Sequence, residues 1–203
     1  MSSLPSAGVR GPVEHERREQ IISAANEYFR HYGYEKTTVA DLAKAIGVSK
    51  AYIYKFFDSK QAIGEAVCSG CLAKISGAIE QATSDDKPAV ERLRNLFKTL
   101  ARECSDLFFH DRRMHDLAAT SSAENWQSYR NHLAKLRWIV ETIIQAGRQS
   151  GEFERKTPLN EIARAIMLAL EPFQHPVLLQ HMLDTVDDDA VLSANMVLRS
   201  LAP

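Results

Sequence analysis

The sequence predicts an all-α protein. Its 203 residues are 45% hydrophobic, which is ample for a packed core. Apolar side chains recur at steps of three and four residues along most of the chain, and alternating runs of β-branched residues are almost absent. With nine glycines and seven prolines, the composition favours helices joined by short turns over a sheet.

Three helices that follow each other closely are predicted within the first 56 residues. The first helix is expected over residues 16–32, with an apolar stripe formed by Ile21, Ala25, Phe29 and Tyr32, and it ends at Gly33. A second helix follows Thr37 or Thr38, either of which is a good N-cap. Gly47 supplies the turn after it, where a side chain is expected to collide. Ser49 caps a third helix over residues 50–56.

Longer helices follow the third one. Asp58 or Ser59 is expected to cap a helix that ends near residue 82. Further helical segments are predicted over residues 88–108, 112–120, 123–149, 158–183 (interrupted around Pro172 and Pro176) and 187–201. The first fifteen residues are rich in Ser, Gly and Pro, so they are expected to form a flexible arm.

Charge is distributed unevenly along the chain. The formal net charge is −1 overall, but residues 36–60 contain five lysines and two aspartates. From residue 61 onward, 16 basic side chains face 19 acidic ones. A small cationic region on a mildly acidic body suits local contact with phosphates and excludes a generally basic nucleic-acid coat protein.

The cysteines and the hydropathy pattern bear on location. An odd count of three cysteines and the absence of a secretory signal pattern favour the reducing cytoplasm. No apolar run is expected to reach the ~18–20 residues of a membrane span. We therefore expect a cytoplasmic protein that does not enter the membrane.

The segment over residues 38–60 predicts a helix-turn-helix that reads duplex DNA. A tight turn makes the short helix after Gly47 project outward, so that its donors can enter the major groove. Lysine, tyrosine and serine side chains there can bind base edges or phosphates, and the start of the next helix can add an anion site. The predicted DNA-binding residues are Thr38, Ser49, Lys50, Ala51, Tyr52, Tyr54, Lys55 and Lys60.

These residues resemble the tetracycline-repressor (TetR/AcrR) family of bacterial transcription regulators. The family signature runs in outline Thr-x-x-x-Ile-Ala-x-x-Ala-Gly-Val-Ser-x-Gly-x-Leu-Tyr-x-Tyr-Phe-x-Ser-Lys. It is matched directly or conservatively at Thr38, Leu42, Ala43, Gly47, Val48, Ser49, Ile53, Tyr54, Phe57, Ser59 and Lys60. The chain departs from the signature at Ala51, where the family has Gly, at Phe56, often a Tyr, and at Lys55, often a His. The match covers residues 17–64.

After the arm expected over residues 1–15, the resemblance implies a three-helix DNA-binding domain over residues 16–62 and a larger helical ligand-binding and dimerisation domain over residues 63–203. It also implies a dimeric repressor that binds a palindromic operator and is released when a small-molecule effector enters the second domain. Pairing of the last two helical segments across a two-fold axis is one assignment for the dimer interface, and burial within the subunit is the other. No cofactor is expected.

The effector pocket is expected among aromatic and soft side chains of the larger domain. The candidate ligand-binding residues are Phe97, Phe108, Met114, Trp126, Tyr129 and Phe173, although most of this group is also suited to a plain core.

The histidines and aspartates at His110, Asp111, His115, Asp116, His132 and His175 could in principle hold a metal, but their spacing is poor and no metal site is predicted. Cys68 and Cys71 form a lone C-x-x-C, for which a thiol sensor and ordinary packing are both open.

Two other classes of protein remain as alternatives. One is a helical DNA-binding protein of the nucleoid type that has no effector. The other is a small helical enzyme, against which stands the lack of a phosphate-binding glycine loop, an HExxH pair or a nucleophile turn. The sequence therefore predicts a regulator and not an enzyme.

Overall fold

The computed structural model describes residues 12–203, which contain ten helices and no strand. The helices are α1 Pro12–Tyr32, α2 Val39–Ala45, α3 Lys50–Ile53, α4 Lys60–Ala82, α5 Ala89–His110, α6 Arg112–Ala123, α7 Gln127–Ser150, α8 Leu159–Gln174, α9 Pro176–Leu179 and α10 Val186–Ser200. The chain divides into two compact units between Val67 and Cys68, later than the boundary expected after residue 62. The all-α prediction is confirmed.

The first unit has a small apolar core. Ile21, Ala25 and Phe29 of α1 are buried as their spacing predicted, whereas Tyr32 at the end of the stripe is exposed. Val39, Leu42 and Ala43 of α2, Ile53 of α3, and Phe57, Ile63 and Val67 complete the core. Because these short helices bury one face each, their outer faces remain available to a partner.

Several helix ends differ from the sequence expectation. Helix α1 begins at Pro12, so the arm expected over residues 1–15 overlaps it, and residues 1–11 lie outside the described part of the chain. Helix α3 ends at Ile53 because the next residues form tight turns, with the N–H of Phe56 donating to the Ile53 carbonyl at 2.9 Å. Helix α6 continues to Ala123, and α7 starts only after Trp126.

The second unit is built around α5. This helix packs against α6, α7, α8 and α10 and buries Leu93, Leu96, Phe97 and Leu100 almost completely. Glu152, in the turn after α7, accepts hydrogen bonds from the N–H groups of Ala89 and Val90 at 3.1 and 3.0 Å. These two donors stand at the positive end of α5, so their hydrogen bonds lower the pKa of the Glu152 carboxyl.

The end of α7 is closed by a side chain that folds back on it. Gly151 has a φ of 82° and terminates the helix. The buried Phe153 ring then lies directly over Gly147, where an added Cβ would stand 2.1 Å from the ring. Glycine is thus required at position 147 by space and at position 151 by backbone conformation.

One described helix, α4, is long and apolar enough to span a membrane, with a mean hydropathy of 1.3 in its most apolar window. The expectation that no such run exists is therefore wrong. Cys71 and Ala73 raise the mean hydropathy of this helix without forming a bulky apolar surface, and Gly70 and Gly77 add no side chain. A single helix of this kind is weak support for a membrane protein.

Candidate nucleic-acid interface and ligand cavity

The turn between α2 and α3 is fixed by caps on both sides. At the start of α2, Thr38 Oγ1 accepts a hydrogen bond from the Asp41 N–H at 3.2 Å, and the Asp41 carboxylate accepts one from the Thr38 N–H at 2.8 Å. This capping box lowers the pKa of Asp41 through its hydrogen bonds to Thr38. At the start of α3, Ser49 Oγ accepts from the Tyr52 N–H at 3.1 Å. Each short helix therefore begins at a defined residue.

Gly47 makes the turn possible through its backbone. Its φ is 70°, in the left-handed region that residues with a Cβ rarely adopt. A Cβ at this position would meet nothing within 4 Å, so the expected collision is absent. The requirement for glycine comes from conformation alone.

The outer face of α3 and the turn after it form what we call the recognition surface, defined by Ser49, Lys50, Ala51, Tyr52, Tyr54 and Lys55. All of these residues are exposed except Tyr52, which is half-buried. Nζ of Lys50 lies 5.7 Å from the ring centre of Tyr54, and Nζ of Lys55 lies 5.8 Å from that of Tyr52. The aromatic rings support the two ammonium groups while leaving them accessible to water or phosphate.

The two remaining predicted DNA-binding residues are engaged within the first unit. Thr38 Oγ1 donates to the Asp41 carboxylate at 2.6 Å, although its side chain remains exposed at the start of α2. Nζ of Lys60 donates to the Glu35 carbonyl at 3.2 Å and lies 4.3 Å from the ring centre of Tyr34. The ammonium of Lys60 therefore already has protein partners and is less available to phosphate than those of the recognition surface.

A groove beside the helix-turn-helix was not singled out in the sequence. It has a volume of about 510 Å³ and is lined by Tyr28, Tyr32, Lys36, Thr37, Asp41, Lys44 and Ala45. Lys36 and Lys44 belong to the cationic segment over residues 36–60. Their position beside Tyr28 and Tyr32 depends on how α1 packs against α2, which the sequence does not show. The lysines and tyrosines are phosphate-binding side-chain types.

The second unit contains a small internal cavity of about 30 Å³. It is bordered by residues of α4 to α9, and its lining consists of Cys68, Leu72, Ile75, Cys104, Leu107, His115, Ala118, Ser121, Tyr129, His132, Gln174, Pro176 and Leu179. No aspartate, glutamate, lysine or arginine belongs to this set of described residues.

Of the six predicted ligand-binding residues, Tyr129 lines this cavity and the other five do not. Phe97, Met114, Trp126 and Phe173 are buried in the core, and the rings of Phe97 and Phe173 meet edge to face at 6.2 Å. Phe108 is half-buried, with its ring under the guanidinium of Arg112 at 4.3 Å. The four buried side chains fill the core, the alternative that the sequence left open, because large apolar groups lower the free energy most when fully enclosed. A role of these residues in ligand binding stays a prediction.

Burial holds the cavity's titratable groups in their neutral forms. It lowers the pKa of His132 to about 4, and the Nδ1 atom of that ring lies 3.2 Å from the Ser76 hydroxyl. Burial likewise lowers the pKa of His115, whose Nε2 donates to the Pro176 carbonyl at 3.1 Å, and raises the pKa of Cys104 to about 12. A thiol with that pKa is unreactive at neutral pH.

The thiol-sensor alternative at Cys68 and Cys71 stays open, and the described histidines gather into no metal-binding cluster. Within residues 12–203 no group of three or more His, Cys, Asp or Glu side chains could hold a metal ion. The three cysteines form no disulfide, and Cys68 and Cys104 are buried. Instead, His115 and His132 reach the cavity, which their sequence positions could not show.

A larger open groove of about 550 Å³ lies along α8 and α10. It is lined by Glu154, Thr157, Glu161, Ile162, Ala165, Ile166, Ala169, Met196, Val197, Ser200 and Leu201. Leu192 and Met196, one turn apart on α10, are 65% and 64% exposed, and Leu168 of α8 is 60% exposed. We call this surface the α8–α10 face.

Two family models match the chain, one in each unit. The model of the amino-terminal domain of bacterial regulatory proteins of the tetR family matches residues 21–67, and the model of a tetracyclin repressor-like carboxy-terminal domain matches residues 89–191. The chain belongs to the TetR family. This assignment confirms the family resemblance and the prediction of a DNA-binding transcriptional regulator.

Individual proteins agree with the family assignment. The TetR-family chain is 26% identical over 157 residues to the transcriptional repressor KstR2 of Mycolicibacterium smegmatis, a match that covers 74% of each protein. It is 31% identical over 90 residues to the nucleoid occlusion factor SlmA of Aliivibrio fischeri, of which it covers 46%. A transcriptional regulator from Cytophaga hutchinsonii has the same fold, with a TM-score of 0.70, 24% identity, and coverage of 92% of this chain and 99% of that one.

Proposed function

We propose that this TetR-family regulator represses transcription by binding a palindromic operator as a dimer, and that a small-molecule effector releases it. The observation that carries the proposal is the recognition surface, where two accessible lysines and two tyrosines lie on a short helix and in the turn after it, behind a tight glycine turn. Lysines of this kind supply phosphate contacts, and the short helix is of the size that enters a major groove. The protein would act in the cytoplasm, as a regulator and not as an enzyme.

The α8–α10 face supports the dimeric part of the proposal. Exposed leucine and methionine side chains on adjacent turns are unfavourable in water, and a second copy related by a two-fold axis would cover them with the same face. Among the apolar residues of the last two predicted helical segments, Leu178, Leu192 and Met196 are exposed. Ile162, Ile166, Leu170 and Leu179 belong to the core of the subunit instead.

Helix α4 is the candidate for transmitting the effector's signal. It begins at Lys60, in the unit that contains the recognition surface, and its residues Cys68, Leu72 and Ile75 border the cavity. A molecule that widens the cavity would press on this helix. Dimeric operator binding needs two recognition helices about 34–36 Å apart, so a small shift of α4 can forfeit the contacts of one of them.

Selection of preferred duplexes from random DNA, followed by a gel-shift titration, tests the proposal. We expect the selected operator to be bound at least ~10³-fold more tightly than random DNA. Lys50→Ala and Lys55→Ala should each weaken operator binding. Each should also reduce the slope of log affinity against log salt concentration by about one, because one phosphate contact is lost. Lys98→Ala removes an equal charge from the exposed face of α5 and is the matched control. Equal affinity for all sequences, or equal loss in the control, would contradict the proposal.

A further inference from the structure

The cavity in the second unit has the chemistry of a site for an uncharged molecule. Its described lining has no formally charged side chain, and the two imidazoles that border it are buried. An anion or a cation placed there would lose its hydration without gaining a counter-ion, which costs several kcal/mol. Leucine, isoleucine, alanine and proline side chains make up much of the wall, so the bulk of a ligand must be apolar.

Two of the lining residues present hydrogen-bond acceptors that nothing in the described chain satisfies. His115 is 3% exposed, and its Nε2 faces the Pro176 carbonyl at 3.1 Å. A carbonyl can only accept, so Nε2 carries the proton and Nδ1 of the neutral ring has a lone pair. Within residues 12–203, His115 Nδ1 and Gln174 Oε1 are buried without a hydrogen-bond partner. The Asp116 carboxylate, 3.8 Å from Nδ1, is too distant for a hydrogen bond.

Unsatisfied buried acceptors point to a ligand that donates. Each such atom leaves a desolvation cost uncompensated, and a hydroxyl group brought within reach would remove it. A molecule without a donor, such as an ether, would leave that cost in place. The acceptors thus select for a donor group on an otherwise apolar molecule.

The cavity adjoins a groove on the surface of the second unit. Leu72 of α4 and His132 of α7 line both the cavity and an outer groove of about 340 Å³. Ser69, Ala73 and Ser76 of α4 form one side of that groove, and Asn131 and Lys135 of α7 lie on the other. The cavity of about 30 Å³ holds roughly one water molecule as it stands. A larger guest must therefore part α4 from α7, beginning at Leu72 and His132.

We propose that this cavity binds a small, uncharged, largely apolar molecule with a hydroxyl group, and that the hydroxyl donates its hydrogen bond to Nδ1 of His115. The proposal names the chemical class of the effector, so its regulatory meaning rests on the proposed function. The binding step itself does not depend on DNA.

The test compares three probes of similar size on the full-length protein: 1-hexanol, methyl pentyl ether and hexanoate. The alcohol can donate, the ether cannot, and hexanoate is charged at pH 7.5. We expect 1-hexanol to raise the melting temperature in a dose-dependent manner and to shift the ¹⁵N resonance of His115 Nδ1. The ether and hexanoate should bind at least about tenfold more weakly, the effect of one lost hydrogen bond to a buried acceptor.

Variants assign the effect to the cavity. His115→Phe removes the acceptor, and His115→Leu, which also removes it, is the second variant if the first does not fold. Each should reduce the affinity for 1-hexanol about tenfold and bring it close to that of the ether. His110→Phe changes an exposed histidine outside the cavity and should leave the affinity unchanged. Equal binding of alcohol and ether, tighter binding of hexanoate, or an unmoved His115 resonance would overturn the proposal.

A DNA experiment separates this inference from the proposed function. If hexanol binds at His115 but does not release the selected operator, the assignment of the cavity stands and effector control fails. If a charged metabolite releases the operator while hexanol does not bind, the repressor function stands and the effector class proposed here is wrong.

Discussion

His132 places a neutral imidazole inside an apolar helix bundle. The ring is nearly fully buried, and its polar contact is with the Ser76 hydroxyl. Its pKa falls to about 4 from an ordinary value of 6.5. The unfolded chain therefore takes up a proton at a higher pH than the folded chain, and stability is lost as the pH drops from about 6.5 towards 4.

Replacing His132 with glutamine should make the protein less sensitive to acid. Between pH 7 and pH 4.5 this histidine accounts for a loss of about 2–3 kcal/mol in the free energy of unfolding. Urea denaturation at the two pH values measures that loss. We expect it to shrink in His132→Gln and to persist in His181→Gln, which changes an exposed histidine. An undiminished loss in His132→Gln would show that other groups cause the acid sensitivity.

Single residues also show where sequence reasoning succeeds and where it ends. Thr38 and Ser49 are N-caps in the structure as in the sequence, because a cap depends on residues three positions away. The partners of Lys60 are the Tyr34 ring and the Glu35 carbonyl, which lie 26 and 25 residues before it in the chain. Such a contact exists only after the first unit has folded, so no local pattern could reveal it.

At the scale of elements, the helices and their order follow from local spacing, and their ends are less well predicted. Helix α7 was expected to start near residue 123, but it starts at Gln127. Asn125 adopts a φ of 51°, which interrupts the helical backbone between α6 and α7. Asparagine is one of the few residues with a Cβ that adopt positive φ readily. The spacing of apolar residues, from which the helix was predicted, does not show this break.

Gly147→Ala should destabilise the second unit. The new Cβ would stand 2.1 Å from the ring of Phe153, so the ring must leave its place over α7, at a cost of about 2–3 kcal/mol. Thermal or urea unfolding measures the change.

The matched control is Gly77→Ala, also in the interior of a helix. Its Cβ would meet no atom within 4 Å, and alanine favours the helix by up to about 1 kcal/mol. We expect Gly147→Ala to lower the free energy of unfolding and Gly77→Ala to raise it. Similar effects at both positions would mean that helix propensity, and not the Phe153 contact, determines the result.

At the scale of the whole molecule, the α8–α10 face should determine the number of chains in the particle. Light scattering coupled to gel filtration should give about twice the chain mass of 22.8 kDa for the unmodified protein. Leu192→Glu together with Met196→Glu should give the mass of a single chain, because two pairs of buried carboxylates cannot be accommodated in an apolar interface.

Trp138→Glu is the control for this experiment. Trp138 is an exposed apolar residue of α7 that does not line the groove, so its substitution should leave the mass unchanged. A monomeric mass for the unmodified protein, or dissociation by the control substitution, would contradict the assigned interface.

The sequence could predict the division into a DNA-binding unit and a larger helical unit, since the first depends on a dense local motif. It could not predict the cavity. That site is assembled from six helices between Cys68 and Leu179, and its chemistry depends on which side chains are left unsatisfied after packing. Large aromatic residues such as Phe97 and Trp126 seemed suited to a pocket, but they fill the core.

The continuity of α4 across the boundary at Val67 and Cys68 constrains how this chain can change in length. Each residue of an α-helix turns the chain by about 100°. Inserting or deleting a single amino acid near that boundary would therefore rotate everything upstream around the helix axis, whereas the turn over residues 83–88 could absorb an extra residue. In homologous sequences, insertions and deletions should accordingly occur in the turn over residues 83–88 and be absent from the middle of α4.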